Sequence, residues 1–278
     1  MNIFNKPIEQ IINERHSVRN YSNKIIEQNV KQEVIEYINK VENPFDIPLS
    51  FKILDQSVLK DDKIKLYSII KNVKNYIAVK VKKQDNALEA LGYSMESIVL
   101  YLTSLGIGTC WIGSFSIEQI IKYLPIQQDE MLPVILSFGY ESNNVTLKEK
   151  VVQKITDKKN RKKFGEISFD GNFGTSLKYD ANNVYSNAIE MVRIAPSAVN
   201  KQPWNILKEN NMYHFYENKS LNYDKRIGFD IQNVDMGIAM CHFEIYLREH
   251  NIEGHFEKQE KYPVSPSNLH YITSWICE

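Results

Sequence analysis

The sequence predicts an α+β protein built from two tandem, related halves. Three segments of the first half align with three segments of the second, in the same order along the chain. Each aligned region shows the same kind of helix, proline-bearing loop or strand as its counterpart. Because a shared order is harder to obtain by chance than a single alignment, we interpret the pattern as an internal duplication.

The aligned segments can be compared residue by residue. The pairs are "VIEYINKVENPFDIPLSFKIL" (from Val34) with "AIEMVRIAPSAVNKQPWNIL" (from Ala188), "GYSMESIVLYLTSLGI" (from Gly92) with "GIAMCHFEIYLREHNI" (from Gly237), and "VILSFGYE" (from Val134) with "YITSWICE" (from Tyr271). The offset between copies falls from 154 to 145 to 137 residues, as expected if the second copy has shorter loops.

Hydrophobic spacing predicts the elements of the first half in order. Pro7 begins a short amphipathic helix, and a long, almost wholly apolar helix follows later. The long helix is predicted at 86–108, further helices at 27–41, 61–73 and 116–124, and strands at 49–54, 75–81, 109–113 and 131–140. The expected domains are residues 1–165 and 166–278, with a polar linker near 165–182.

Composition excludes several classes of partner. Acidic and basic residues number 34 each, so no overall field favours nucleic acid or an anionic membrane. The N-terminus lacks the apolar core of a signal peptide, and no apolar run approaches about 18 residues. Three cysteines scattered along the chain are more typical of reduced thiols than of a disulfide framework. We therefore expect a cytoplasmic protein that binds neither membranes nor nucleic acid.

Three alternating residues near the N-terminus could bind an anion. Arg15, Ser17 and Arg19 in "RHSVRNY" follow the end of the first predicted helix. In an extended segment, residues two apart point the same way, so two guanidiniums and a hydroxyl would converge. The alternative is a surface arginine pair that holds the helix terminus.

A basic stretch precedes the expected boundary. Eight of the sixteen residues from Lys148 to Lys163 are basic, which fits a solvated face or a nucleic-acid arm. The neutral total charge and the scarcity of aromatic residues in the stretch argue against nucleic acid. A phosphate held by Lys159 and Arg161, opposite Arg15 and Ser17, would use these charges locally.

The chain carries no sequence pattern of a protein nucleophile or a metal site. "GIGTCWIGSF" is not a dinucleotide fingerprint, because a helix precedes its glycines and a strand follows them. The loop Gly113-Ser114-Phe115 is still free to present backbone N–H groups to a ligand. The six histidines form no metal-like cluster. These observations favour chemistry supplied by a cofactor.

Four motifs together resemble the nitroreductase family of FMN-dependent α+β oxidoreductases. "RHSVRNY" resembles the Arg-x-Ser-x-Arg-x-aromatic opening of that family, and "LGIGTCWIGSF" its Gly-Leu-Gly-Thr segment. "APSAVNKQPW" is similar to its Pro-Ser-x-x-Asn-x-Gln-Pro-Trp motif, and "KKNRKKFGEI" to its C-terminal Lys-x-Arg tail. The resemblance implies a nitroreductase-like fold with mainly antiparallel sheets and flanking helices.

One departure from the family pattern is informative. The Pro-Ser motif follows the opening by about 180 residues and stands in the second copy, whereas the first copy reads "ENPFDIPLS" there. The second copy, in turn, lacks an Arg-x-Ser-x-Arg opening and a Lys-x-Arg tail. Since family members are homodimers with sites built from both subunits, the resemblance implies a monomer that acts as an intramolecular pseudo-dimer with one FMN.

The resemblance also implies residue roles. Arg15, His16, Ser17 and Arg19 would hold the phosphate, ribityl chain and pyrimidine end of FMN, Lys159 and Arg161 the phosphate, Ser197 and Asn200 the ring or ribityl chain, and Gly113 and Ser114 would place N–H groups near flavin N5. NADH or NADPH would reduce the flavin, and a nitroaromatic or quinone would then reoxidise it in a ping-pong reaction, without a catalytic side chain. Two alternatives stay open: another flavin enzyme on the same scaffold, and a non-catalytic flavin-binding or interaction protein with a degenerate site.

Overall fold

The computed structural model describes residues 4–60, 62–67, 69–143, 160–220 and 229–278. In that part of the chain the helices are α1 (Ile8–Glu14), α2 (Gln28–Ile38), α3 (Gln56–Leu59), α4 (Ala87–Ser104), α5 (Ile117–Ile120), α6 (Phe164–Ile167), α7 (Val184–Arg193) and α8 (Gln232–Glu249). The strands are β1 (Leu49–Leu54), β2 (Asn75–Lys82), β3 (Gly108–Ile112), β4 (Glu130–Met131), β5 (Ile135–Gly139), β6 (Ser168–Asp170), β7 (Asn172–Ser176), β8 (Trp204–Glu209), β9 (Met212–Asn218), β10 (Gly254–Glu257) and β11 (Leu269–Cys277).

The strands form two separate sheets, one from each half of the chain. The first has the order β1-β2-β5-β3, with β4 beside β2, and the second has the order β10-β11-β9-β8-β6-β7. All pairs are antiparallel except β6 with β8. The central strand β5 is buried along its whole length, which agrees with its mainly apolar sequence.

The two sheets share one strand order. Taken in chain order, β1, β2, β3 and β5 occupy the same positions in the first sheet that β8, β9, β10 and β11 occupy in the second. The strands β6 and β7 extend the second sheet beyond β8. The order of elements around each long helix is therefore repeated, as the sequence alignment predicts.

The long helices α4 and α8 pack against each other between the sheets. Each has 18 residues, and their bounds differ by the same 145 residues that separate Gly92 from Gly237 in the sequence alignment. A Cβ on Gly92 would lie 2.1 Å from the carbonyl oxygen of Val234, and one on Gly237 would lie 2.0 Å from that of Glu89. Glycine at both positions allows the two backbones to approach closely.

One hydrophobic core spans both halves. It joins residues of α1, α2 and α4 to residues of α7, α8 and the second sheet, and it includes the fully buried Trp204 and Trp275. Cys110 and Cys241 are buried, Cys277 is partly buried, and none forms a disulfide. The α4–α8 contact is thus part of the main core.

The helix expected at 61–73 is wrong. Asp55 caps the short helix α3, which ends at Leu59, and no helix follows in the described residues up to Val73. The backbone of this segment forms hydrogen bonds with residues distant in the sequence instead. Tyr67 N–H donates to Ser114 O, and Lys71 N–H donates to Arg19 O. Residues 164–176, around the start of the expected polar linker, form α6, β6 and β7.

Candidate functional site

The N-terminal motif lies in an extended conformation beside β3. Ser17 forms a parallel bridge with Thr109, and Val18 N–H donates to Thr109 O at 2.8 Å. A Cβ on Gly108 would lie 2.4 Å from the Val18 side chain, so glycine at this strand position admits the motif. The extended backbone predicted for "RHSVRNY" is confirmed over these residues.

Arg15 is a buried cation. It follows α1 and is 6% exposed, and its Nε is buried without a hydrogen-bond acceptor in the part of the chain that the structure describes. Burial lowers the pKa of the Arg15 guanidinium, while the carboxylate of Glu96 opposes this effect. No ion pair within 4.0 Å joins Arg15 to another described residue. A guanidinium in this position is suited to an anionic ligand, because a buried charge needs a partner.

The neighbours of Arg15 in the motif differ in their surroundings. Arg19 is half-buried and its Nη1 donates to Ser17 O at 3.4 Å. His16 is exposed, and its Nε2 lies 2.9 Å from Glu141 Oε2 while Nδ1 lies 3.0 Å from Glu14 O. His16 is therefore engaged at the surface, whereas Arg15 points into the interior.

The loop after β3 borders this cluster. Gly113 and Ser114 are exposed, and a Cβ on Gly113 would meet no atom within 4 Å, so the backbone faces open space. Tyr67 N–H donates to Ser114 O at 3.0 Å, and Leu66 bridges to Phe115. Part of the segment predicted as a helix at 61–73 is thus paired with this loop.

A second cluster surrounds "APSAVNKQPW". Val199, Asn200 and Gln202 all have left-handed backbone, with φ of 45°, 59° and 50°. Such conformations cost about 1–3 kcal/mol each for residues other than glycine and are concentrated at functional sites. Ser197 Oγ accepts a hydrogen bond from Gln202 N–H at 2.9 Å. The Ser197 side chain therefore closes this turn.

The basic tail of the first half lies directly on this loop. Arg161 Nη2 donates to Ile194 O at 3.5 Å, and Asn200 Nδ2 donates to Asn160 O at 3.1 Å. Lys162 N–H and Nζ donate to Gln202 Oε1 and O at 2.7 and 2.8 Å. The structure brings Arg161, Ser197 and Asn200 together. Lys159, the other predicted phosphate ligand, lies outside the described residues.

A buried carboxyl group attaches the loop to α8. Asp235, in the first turn of α8, accepts a hydrogen bond from Ala198 N–H at 2.9 Å through Oδ1. It is 2% exposed, and its Oδ2 has no hydrogen-bond partner among the described residues. Burial raises the pKa of Asp235 well above its ordinary range. Asp235 thus fixes the position of the loop relative to the helix.

Helix α8 also connects the two clusters. Its His242 lies seven residues after Asp235, about 10 Å along the axis at 1.5 Å per residue. His242 Nε2 lies 2.9 Å from Oε1 of Glu96, the carboxylate that acts on Arg15. The loop at Ala198 and the Glu96 carboxylate therefore contact the same helix about two turns apart.

Sequence reasoning missed Glu96, Asp235 and His242. The sequence feature that could have identified them is that each is a charged or titratable residue within a helix that is otherwise largely apolar. Such residues are rarely buried without a partner. The identity of the partners, however, depends on helix packing between the halves.

One groove lies away from these residues. It has a volume of about 660 Å³, runs between α2 and β1, and contains none of the predicted site residues. Within the described ranges, no three His, Cys, Asp or Glu residues are arranged to hold a metal ion. None of the helices described there is long and apolar enough to cross a membrane.

A family model matches most of the chain. The family is described as "Putative TM nitroreductase", and the match extends over residues 7–246. This confirms the resemblance drawn from the four motifs. Among curated proteins, none matches the chain in sequence.

Solved structures of nitroreductase proteins are similar to this chain. A Thermotoga maritima crystal structure, described in nearly the same words as the family, has 24% identity and a TM-score of 0.62, and the alignment covers 98% of this chain and 94% of that one. A nitroreductase with bound FMN from Bacteroides fragilis has 19% identity and a TM-score of 0.42, covering 51% of this chain and 92% of that one. The first of these likenesses shows a nitroreductase-like α+β fold with antiparallel sheets.

Proposed function

The chain belongs to this nitroreductase family, and on that premise we propose that it is an FMN-dependent oxidoreductase that takes electrons from NADH or NADPH. Its acceptor is proposed to be a small electron-poor molecule such as a nitroaromatic or a quinone. FMN, when bound, supplies the hydride chemistry through N5. The protein then has to bind, orient and shield the flavin, and needs no nucleophile of its own.

The single observation that carries the proposal is the buried guanidinium of Arg15. Its Nε is a buried donor without an acceptor among the described residues, at the start of a motif that the family uses for its flavin. The phosphate of FMN carries close to two negative charges and can accept several charge-assisted hydrogen bonds. The residues present therefore fit this group.

The second cluster supports a site assembled from both halves. Arg161 belongs to the basic tail, and the loop that it contacts at Ile194 O carries Ser197 and Asn200. We propose that Arg15, Ser17, Arg19 and Arg161 face the phosphate and ribityl chain, with Lys159 beside them. His16 is assigned to the edge of the same site, next to Glu141.

Loop backbone completes the proposed site. Asn200 and Ser197 would contact the ring or ribityl chain, and their position is set by the Asp235 bond to Ala198 N–H. The backbone of Gly113 and Ser114 would offer N–H donors near N5, where such donors stabilise an electron-rich ring. The open space around Gly113 leaves room for an approaching ligand.

We also propose that the chain is an intramolecular pseudo-dimer with halves at 1–165 and 166–278. Support comes from the shared strand order of the two sheets and from the equal lengths of α4 and α8. The reciprocal close contacts of Gly92 and Gly237 have the form of a two-fold interface, in which each copy presents the same patch to the other. A monomer in the cytoplasm is part of the same proposal.

Anaerobic absorption spectroscopy tests the function. The purified protein, loaded with FMN, should show a flavin spectrum that bleaches on addition of NADH or NADPH and recovers with a quinone. A flavin that binds but is reduced by neither nucleotide would favour the non-catalytic alternative. A protein that takes up no FMN would refute the flavin assignment.

A further inference from the structure

The groove between α2 and β1 lies at the first-half counterpart of the loop that carries Ser197 and Asn200. At the alignment offset of 154 residues, Asn43 matches Ser197, and Asp46 matches Asn200 in the same way. Asn43 and Ser197 each accept a side-chain hydrogen bond from a backbone N–H further along their own loop. Asp46 and Asn200 both have left-handed backbone, with φ of 51° and 59°. The two loops are therefore built alike.

In the second half, a segment of the same chain covers this loop and the strand that follows it. Lys162 donates two hydrogen bonds to Gln202, at 2.7 and 2.8 Å. After α6, strand β6 pairs in parallel with β8, with Ser168 opposite Ile206. Ile206 is fully buried. Residues 160–170, the covering segment, thus extend the second sheet at the edge of β8.

The corresponding edge of the first sheet carries no strand in the part of the chain that the structure describes. Strand β1 lies at the end of the sheet order and pairs with β2. Lys52 of β1 aligns with Ile206 of β8, but Lys52 is exposed. Ile35 of α2 lines the adjoining groove, which has a volume of about 660 Å³, and is 38% exposed. An open strand edge beside apolar surface is a template for pairing with another chain.

The charged residues that line the groove are mainly acidic. Glu42 and Asp46 are exposed, and Lys52 is the one basic residue among the described lining residues. The covering segment of the second half, in contrast, carries the basic run Arg161-Lys162-Lys163 ahead of its strand. Complementary charge favours a segment of the same kind in the groove.

We propose that this groove binds an extended basic segment of a partner protein, which adds to β1 as a parallel strand. The partner presents two or three Lys or Arg residues followed by a short strand, as the covering segment does. Its strand lies opposite Lys52 and Ile53, which align with the two β8 residues that pair with Ser168 and Phe169. The proposal concerns an interaction surface and does not depend on flavin binding.

A synthetic peptide with the sequence of residues 160–170 is the probe. The fluorescein-labelled peptide is titrated with the full chain and followed by fluorescence anisotropy. We expect saturable binding of one peptide per chain, and none for a peptide of the same composition in scrambled order. No saturable binding of the probe at up to about 1 mM chain would overturn the proposal.

Two variants and a matched control locate the binding site. Ile35→Lys places a cation on the apolar wall of the groove, so the dissociation constant for the peptide should rise at least about tenfold. Asp46→Asn keeps a residue that tolerates left-handed backbone and should raise it about threefold, because an attractive charge is lost. Ile25→Lys should leave it unchanged, since Ile25 is 69% exposed and does not line the groove. Equal affinities in Ile35→Lys and Ile25→Lys would place the peptide elsewhere and refute the proposal.

Hydrogen exchange and light scattering identify the occupant. Bound peptide should slow amide exchange in β1, because strand addition gives its open edge new hydrogen-bond partners. Unchanged exchange in β1 at saturating peptide would contradict strand addition. A chain that dimerises on its own, and that Ile35→Lys converts to a monomer, would show that a second copy fills the groove instead of a partner segment.

Discussion

Replacing Gly237 with alanine should force the two long helices apart. The added Cβ would lie 2.0 Å from Glu89 O and 2.7 Å from Tyr93 N, both backbone atoms that no side-chain rotation can move away. Ordinary carbon–oxygen contacts between helices are about 3.3–3.6 Å, so the backbones must separate by more than about 1 Å. Because α4 and α8 form the centre of the core, this separation loosens contacts on both sides.

The expected cost is a loss of about 3 kcal/mol in the free energy of unfolding, at the upper end of overpacking effects. For a chain of this length, about 2 °C of melting temperature corresponds to each kcal/mol, so we expect a decrease of roughly 6 °C. Gly92→Ala should cost about as much, since its Cβ would lie 2.1 Å from Val234 O. The double variant should cost clearly less than the two single losses together, because helices already separated for one methyl accommodate the other.

Urea unfolding followed by circular dichroism, together with thermal melts, measures these changes. Gly113→Ala is the control, since a Cβ there would meet no atom within 4 Å. If Gly237→Ala or Gly92→Ala were as stable as this control, the close crossing of the helices would be refuted. Full additivity in the double variant would show that the two contacts are independent, contrary to the reciprocal packing described above.

Three further predictions concern the flavin site, the strained loop and a buried carboxyl group. Arg15→Ala should weaken FMN binding by at least about tenfold in a fluorescence titration, while the exposed Lys40→Ala should not; equal affinities would exclude Arg15 as a ligand. Val199→Gly should be about 1 kcal/mol more stable towards urea than Val264→Gly, because both side chains are exposed but only Val199 has left-handed backbone; no difference would mean that the loop is unstrained. Burial raises the pKa of Glu89 from 4.5 to about 7, so the folded state keeps a proton that the unfolded state releases, and this contribution to stability is lost as pH rises from 4.5 to 7. Glu89→Gln should therefore make the unfolding free energies measured at pH 5 and pH 8 more nearly equal. An unchanged pH dependence would contradict the assignment.

The sequence allowed the regular elements around the helix pair to be predicted. The apolar run from Ala87 to Ser104 is buried on most sides, and that environment leaves a long uninterrupted pattern. The alignment also pairs Gly92 with Gly237, and in the structure both glycines meet the backbone of the opposite helix. In these two helices the hydrophobic pattern of the sequence agrees with the packing in the structure.

Other features depend on contacts that a local pattern does not record. The residues at 61–73 have apolar spacing compatible with a helix, yet Tyr67 and Lys71 bond to the distant Ser114 and Arg19. Whether this segment forms a helix or an extended backbone therefore depends on hydrogen-bond partners that are distant in the sequence. The pair of Glu96 with His242 is likewise invisible until the helices are packed.

The candidate site was predicted in part. The extended motif at Ser17 and the loop at Gly113 lie beside the same strand, and Arg161 lies at the loop that holds Ser197 and Asn200. The residue that holds this loop, Asp235, was found only in the structure, because it bonds to the loop from α8. Motif residues are therefore easier to predict than the residues that hold them in place.

The stoichiometry of FMN binding tests the central claim most directly. The account predicts one FMN per monomeric chain, measured by flavin absorbance against protein concentration with the mass determined by light scattering. Either Arg15→Ala in the first half or Asn200→Ala in the second should weaken binding at that one site. Two flavins per chain, or binding that requires two chains, would contradict a single site completed by the two halves.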